Sequence, residues 1–309
     1  MDKKIKAAYK LLFSEFDLPH DWVAEGMEFN PRTKTVHLEF SHERGVDTGS
    51  IFNPVKDSIK IKGKNYPVYS IFKRKYIEDD IRDGNPLLYA FKNYVQEGKG
   101  KDATLVLKNP NDWRLEWKEG DKMKLLRNFI EICSKIDRKY DTIVMAPSSN
   151  ILNEKFLYYL SKMLDSDNVI KDYFRKLDCE SVLELYDYES LEKDLRNEGF
   201  LDAGIDNIVS LVEANFAKMN RENDGVFSYK YLDVVKGTRV DLRSYVTKSM
   251  EFREFQELRY ADKINGRDIL ILDDTISRGF TVSEMVKAII STYTPKSVTI
   301  VTLFSMLKR

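Results

Sequence analysis

The chain has 309 residues, 42% of them hydrophobic, with only 14 glycines and 8 prolines. That supports a packed core and excludes a linker-rich or disordered protein. Lys and Arg number 50, as do Asp and Glu, so the formal net charge is zero and general nucleic-acid coating is disfavoured.

The length predicts two domains or one domain with large insertions. The N-terminal MDKKIKAAYKLLFSEF lacks the apolar core of a signal peptide. No run approaches the roughly 18 apolar residues of a membrane span. A cytoplasmic protein without membrane contact is therefore expected. Cys133 and Cys179 are far apart and read as reduced structural thiols. His20, His37 and His42 lack metal-site spacing.

Taken in chain order, residues 4–16 predict a short helix with Ile5, Tyr9, Leu12 and Phe16 on one face. Residues 34–41 alternate like a strand. Residues 58–73 predict a hairpin turning near Gly63-Lys64-Asn65. DGNPLLYAFKNY (83–94) predicts a turn feeding a helix, with Asn85 as N-cap and Pro86 at the first helical position. Residues 1–100 thus form an α+β region of unknown role.

The pattern changes from about residue 100. DATLVLKN (102–109) predicts a strand. Residues 121–137 predict an amphipathic helix with Leu126, Phe129, Ile130 and Cys133 on one face. DTIVMA (141–146) predicts a buried strand, PSSN a turn, and 153–164 a helix with Phe156, Leu160, Met163 and Leu164 inward. Residues 165–224 are charged and mainly helical, and 187–199 end at a glycine stop. This excursion is either a lid or a substrate-selecting subdomain. VFSYKYLDVV (226–235) has strand character. A strand at 269–272, a helix at 282–292 and a strand at 298–304 complete a βαβ unit. Together these predict a parallel sheet with helices on both faces.

ILILDDTISRGFT (269–281) carries the chemistry. Ligands of open parallel sheets bind beyond the carboxyl ends of the strands. Asp273 and Asp274 stand at such an end. The loop behind them opens into a helix whose first N–H groups attract an anion. Ser277 and Thr281 add hydroxyls, and Gly279 permits a tight cradle. The loop suits a phosphate. The carboxylates suit ribose hydroxyls or a divalent cation. A strand end that merely caps the next helix is the plainer alternative.

This segment resembles the phosphoribosyl-pyrophosphate (PRPP) motif of type I phosphoribosyltransferases, and the element order is faintly similar to ComF-type phosphoribosyltransferase domains. The resemblance covers about residues 140–309. It implies a phosphoribosyltransferase-like α/β core, with the α+β N-terminal region and the helical insertion at about 165–224 added to it. By the resemblance, Asp273 and Asp274 hold the ribose hydroxyls and Mg²⁺. Thr275, Ile276, Ser277, Arg278, Gly279, Phe280 and Thr281 hold the 5′-phosphate. Ser148, Ser149 and Asn150 fit the family's pyrophosphate-binding turn, and equally fit a structural turn with an Asn cap. Lys236, Arg239 and Arg243, with Lys248 around Gly237, fall where the family places a basic catalytic loop. A solvated surface loop explains them as well.

Two positions depart from the family pattern. Ser277 replaces an acidic residue found in the hypoxanthine-guanine enzymes, and Arg278 replaces a small or hydroxylated one. Arg278 adds a cation to the phosphate or points to solvent. The implied activity is transfer of 5-phosphoribosyl from PRPP to a nucleobase or related nitrogen acceptor, with release of pyrophosphate. The implied ligands are PRPP, Mg²⁺ and a small-molecule acceptor, and a homodimer is compatible. A non-catalytic PRPP or nucleotide sensor of the same fold, or another phosphate-handling α/β enzyme, stays open.

Overall fold

The computed structural model describes residues 26–30, 32–39, 46–48, 55–74, 93–97, 104–107, 109–112, 114–115, 140–147, 157, 160–161, 164, 166, 168–253, 259–276, 278–305 and 307. The expected helices at 4–16 and 121–137, and Asn85 and Pro86, lie outside them. Contacts divide the chain into two compact units, Met1–Lys171 with Arg259–Arg309, and Asp172–Leu258. The division falls at these points and not at residue 100, because the N-terminal hairpin belongs to the main sheet.

In the first unit, β1 (Gly26–Asn30) and β2 (Thr35–Glu39) form an antiparallel pair, and β3 (Val46–Thr48) follows. The predicted hairpin is β4 (Val55–Ile61) and β5 (Lys64–Arg74). Its two-residue turn is Lys62-Gly63, with φ of 46° and 79°. Positive φ at both central residues matches the twist of the flanking strands. Asn93 and Tyr94, expected at a helix end, instead lead into β6 (Tyr94–Glu97), which pairs with β7 (Thr104–Leu107). The Asn93 side chain donates to the Asn109 carbonyl and accepts from the Asn109 amide, which ties the two ends of this pair together. β8 (Arg114–Leu115) adds to β2.

The central sheet is mostly parallel. β9 (Thr142–Met145), β10 (Asn168–Ile170), β13 (Asp268–Ile276), β14 (Ser297–Ser305) and β5 run in the order β10-β9-β13-β14-β5. β3 and β4 pair antiparallel to β5 beyond them. All of β9 is buried, and so is Ile269–Leu272 in β13. Strands covered on both faces read as continuous apolar runs, which is why these stretches were legible. Between β9 and β10, Leu157, Leu160 and Leu164 are helical and buried, one face of a helix. Phe156 and Met163 lie outside the described residues. After β13, the helix expected over 282–292 spans Phe280–Thr292; it buries Val282, Met285, Val286 and Ile289 of the helically spaced apolar residues and leaves Ile290 half-buried.

The second unit contains β11 (Phe174–Lys176), paired with β12 (Met250–Phe252), and helices α1 (Cys179–Glu184), α2 (Tyr188–Asn197) and α3 (Asp202–Glu222). The helix following β13 is α4. The excursion is therefore a subdomain with its own core, built on Val182, Leu191, Leu195, Val212, Phe216, Phe227 and Leu242. Cys179 is a free thiol in this core, and burial pushes its pKa up. The strand expected over 226–235 is not formed. Isolated bridges at Val226 and Val234 flank a 3₁₀ turn at Tyr229–Tyr231. Phe227 and Leu232 are five residues apart and both buried. A flat strand would send them to opposite faces, and the turn brings both inward.

Among the described residues no helix is long and apolar enough to cross a membrane.

Two measurements test the second unit. Phe216→Ala should cost about 3–5 kcal/mol by opening a cavity in this core, read as lost hydrogen-exchange protection in α1 to α3. Asp178 and Asp187 cap α1 and α2 by accepting from the Ser181 and Ser190 amides, which holds both carboxyls below their ordinary 3.8. Their folded pKa is depressed, so their stabilisation is present above pH 3.8 and lost as pH falls through the folded value. Asn at both positions should keep the caps and flatten this acid dependence of the helical signal.

Candidate active site

β9 connects onward to β10 on one side, whereas β13 connects through α4 to β14 on the other. The strand order thus reverses between β9 and β13, and the carboxyl ends of these two strands bound the crevice where ligands bind in such sheets. The pairing is tight up to that point. Met145 stands opposite Leu272, and the Ala146 amide donates to the Leu272 carbonyl at 2.8 Å. Pro147 is the last described residue before Ser148, Ser149 and Asn150, which lie outside the described residues. Their expected pyrophosphate role follows a strand that ends beside Asp273.

β13 does not stop at the aspartates, as the sequence pattern predicted. It runs on to Ile276, because β14 continues alongside and pairs Asp273 with Thr302, Thr275 with Phe304 and Ile276 with Ser305. Extending the ladder gives these buried backbone groups partners. The expected seven-residue phosphate loop is therefore shorter. Thr275 and Ile276 belong to the strand, Phe280 and Thr281 begin α4, and only positions 277–279 link them. Ser277 lies outside the described residues, and Arg278 is exposed.

Asp273 is 6% exposed, and its Oδ1 accepts from the Asp274 amide at 2.8 Å. Asp274 is half-buried. Two carboxylates therefore sit at the end of a buried strand, the first held in place by the backbone of the second. Two residues on, the Thr275 hydroxyl is buried and has no hydrogen-bond partner.

Gly279 opens α4 in the left-handed region, with φ of 78°. The first amide to bond back into the helix is that of Ser283, which donates to the Gly279 carbonyl. The amides of Thr281 and Val282 have no acceptor among the described residues, as the geometry of a helix start requires. No side chain caps this end. A mouth of this kind, with the positive end of the helix dipole behind it, attracts an anion.

The need for glycine has a further cause that sequence pattern did not reveal. A Cβ at position 279 would collide with Ile59 Cδ1 of β4. The N-terminal hairpin therefore packs against the loop. Ser305 Oγ at the end of β14 also donates to Asp57 Oδ2 of the same strand, at 3.3 Å.

The basic residues expected to act with this site belong to the other compact unit. Lys236 and Arg239 are exposed around a turn at Gly237, where φ is 80°. Val234 bridges to Asp241, and the Val235 amide donates to the Val240 carbonyl, closing the turn. Arg243 is committed to structure. Its guanidinium donates to the Leu232 carbonyl and to Asp233, with Asp241 at 3.7 Å. Lys248 pairs with Glu251 at 3.4 Å.

The chain matches no family model, and no curated protein matches it.

Gly279→Ala should destabilise the protein by about 2–4 kcal/mol, combining left-handed strain with overpacking. Adding Ile59→Ala in that background relieves the collision and not the strain. Calorimetric unfolding of the two single variants and the double variant should show the double losing less than the sum.

Proposed function

We propose that this chain binds PRPP and transfers its 5-phosphoribosyl group to a nitrogen acceptor, releasing pyrophosphate, on a type I phosphoribosyltransferase-like core. The observation that carries the reading is the Asp273-Asp274 pair at the carboxyl end of a central parallel strand. It stands at the point where strand order reverses, five residues before the left-handed glycine that opens α4.

The chemistry divides along that stretch. Carboxylates repel phosphate and accept hydrogen bonds from hydroxyls, so Asp273 and Asp274 take the ribose diol. The amides at the mouth of α4 take the 5′-phosphate. Asp172–Leu258 holds 19 acidic and 12 basic side chains, so the rest of this zero-charge chain carries +7. That excess favours the approach of an anionic substrate.

The residues also fit the implied Mg²⁺. Among the described residues no cluster of three or more His, Cys, Asp or Glu forms a dedicated metal cage. Mg²⁺ is usually bound by one or two carboxylates together with substrate oxygens and water. Asp273 and Asp274 are those carboxylates, and the ion would neutralise charge on the leaving pyrophosphate.

In the reaction the bond from ribose C1 to the pyrophosphate oxygen breaks and a C1–N bond forms. The protein's part is placement. The strand end fixes the diol, the helix mouth fixes the phosphate, and C1 between them is presented to the acceptor. The carboxylates also lie near the positive charge that develops on the ribosyl ring.

Titration calorimetry with PRPP and Mg²⁺ should show saturable binding. Asp273→Asn with Asp274→Asn should weaken it by about 100-fold or more, since two charge-assisted contacts are lost. Unchanged binding in that variant would sink the reading. Pyrophosphate release on adding a panel of bases then separates an enzyme from a sensor.

A further inference from the structure

One face of the central sheet contains a row of polar side chains, of which the reading above uses only Asp273. In register across three adjacent parallel strands stand Asp273 of β13, Thr302 of β14 and Ser70 of β5. Residues opposite each other in a parallel ladder point to the same face, on strands about 4.8 Å apart. Residues further back in these strands on the same face are apolar, with Ile269 and Ile271 in β13, Ile300 in β14 and Val68 in β5. The three polar residues are also buried. Thr302 is 0% exposed and Ser70 1%.

The hydrogen bonding of the two hydroxyls is incomplete. Ser70 Oγ has no hydrogen-bond partner, and among the described residues Thr302 Oγ1 donates only to the Phe304 carbonyl, at a long 3.3 Å. Thr275, two residues beyond Asp273 and on the same face, has a hydroxyl without a partner. A buried hydroxyl left unpaired costs about 1–3 kcal/mol. Apolar residues of the same shape would fill these positions without that cost. Such groups in a native core need an explanation beyond packing, and Asp273 is the charged group beside them.

We propose that Thr302 is a positioning residue for Asp273, backed by Ser70 in a cross-strand hydroxyl relay. This rests on the preceding assignment of Asp273 to the ribose diol and its cation. When the outer face of the carboxylate takes its ligand, Thr302 Oγ1 donates to the inner oxygen, and Ser70 Oγ donates to Thr302. Each hydroxyl gives one proton and Thr302 also accepts one, so the row ends on the carboxylate with both donors used. The relay fixes the rotamer of Asp273 from behind without touching substrate.

The experiment measures PRPP·Mg²⁺ binding by calorimetry and thermal stability on the full chain. Thr302→Val preserves shape and should weaken binding about tenfold, the value of one hydrogen bond to a charged group. Thr302→Ser should restore it. In an Asp273→Asn background, Thr302→Val should cause no further loss. Ser70→Ala should weaken binding about threefold without lowering the melting temperature.

Wild-type affinity in both Thr302→Val and Ser70→Ala would overturn the relay and leave the PRPP reading intact. So would an equal loss from Thr302→Val with and without Asp273, or failure of Thr302→Ser to rescue. No PRPP·Mg²⁺ binding by the unmodified protein would overturn the reading itself. If Thr302→Val fails to fold, Ser70→Ala alone decides: wild-type affinity there overturns the relay.

Discussion

The candidate site depends on the burial of β13 between two parallel neighbours. Ile269–Leu272 is covered on both faces and hydrogen-bonded on both edges, to β9 and to β14. A strand held this way cannot slip by one residue without turning its whole side-chain pattern over. The position and facing of Asp273 are therefore set by the apolar residues before it. The charge stands at a defined height because four buried hydrophobes place it there.

The second constraint comes from far away in sequence. The three-residue link into α4 needs a left-handed residue at 279, and β4 packs against it through Ile59. A hairpin from the first quarter of the chain thus closes the space beside a loop in the last tenth. This hairpin also extends the central sheet, since β5 pairs with β14. The site and the sheet edge are one packing problem, which is why this hairpin is no separate appendage.

Asp172–Leu258 follows a different logic. It holds its own aromatic and aliphatic core, with the Tyr186 hydroxyl donating to the Leu242 carbonyl and the Tyr245 hydroxyl to Asp194. Its surplus of acidic side chains is hidden by the zero net charge of the whole chain. Arg243 is held within this unit. It is basic and lies in a loop-like stretch, and its Nε and Nη2 donate to a backbone carbonyl and to Asp233, with Asp241 at 3.7 Å.

Local pattern by itself determined β9, the hairpin, α4 and the apolar body of β13, because continuous apolar runs and helical spacing are properties of adjacent residues. It also marked Asp273, Asp274 and Gly279, since charges after a buried run and glycine before a helix are visible in one dimension. Only the tertiary structure decided where β13 ends, because the ladder continues for as long as β14 offers partners. It alone showed that Ile59 enforces the glycine, that β5 joins the central sheet, and that Asp273, Thr302 and Ser70 share one row. Those facts depend on register between strands more than 200 residues apart, and register is fixed by long-range pairing that no local window contains.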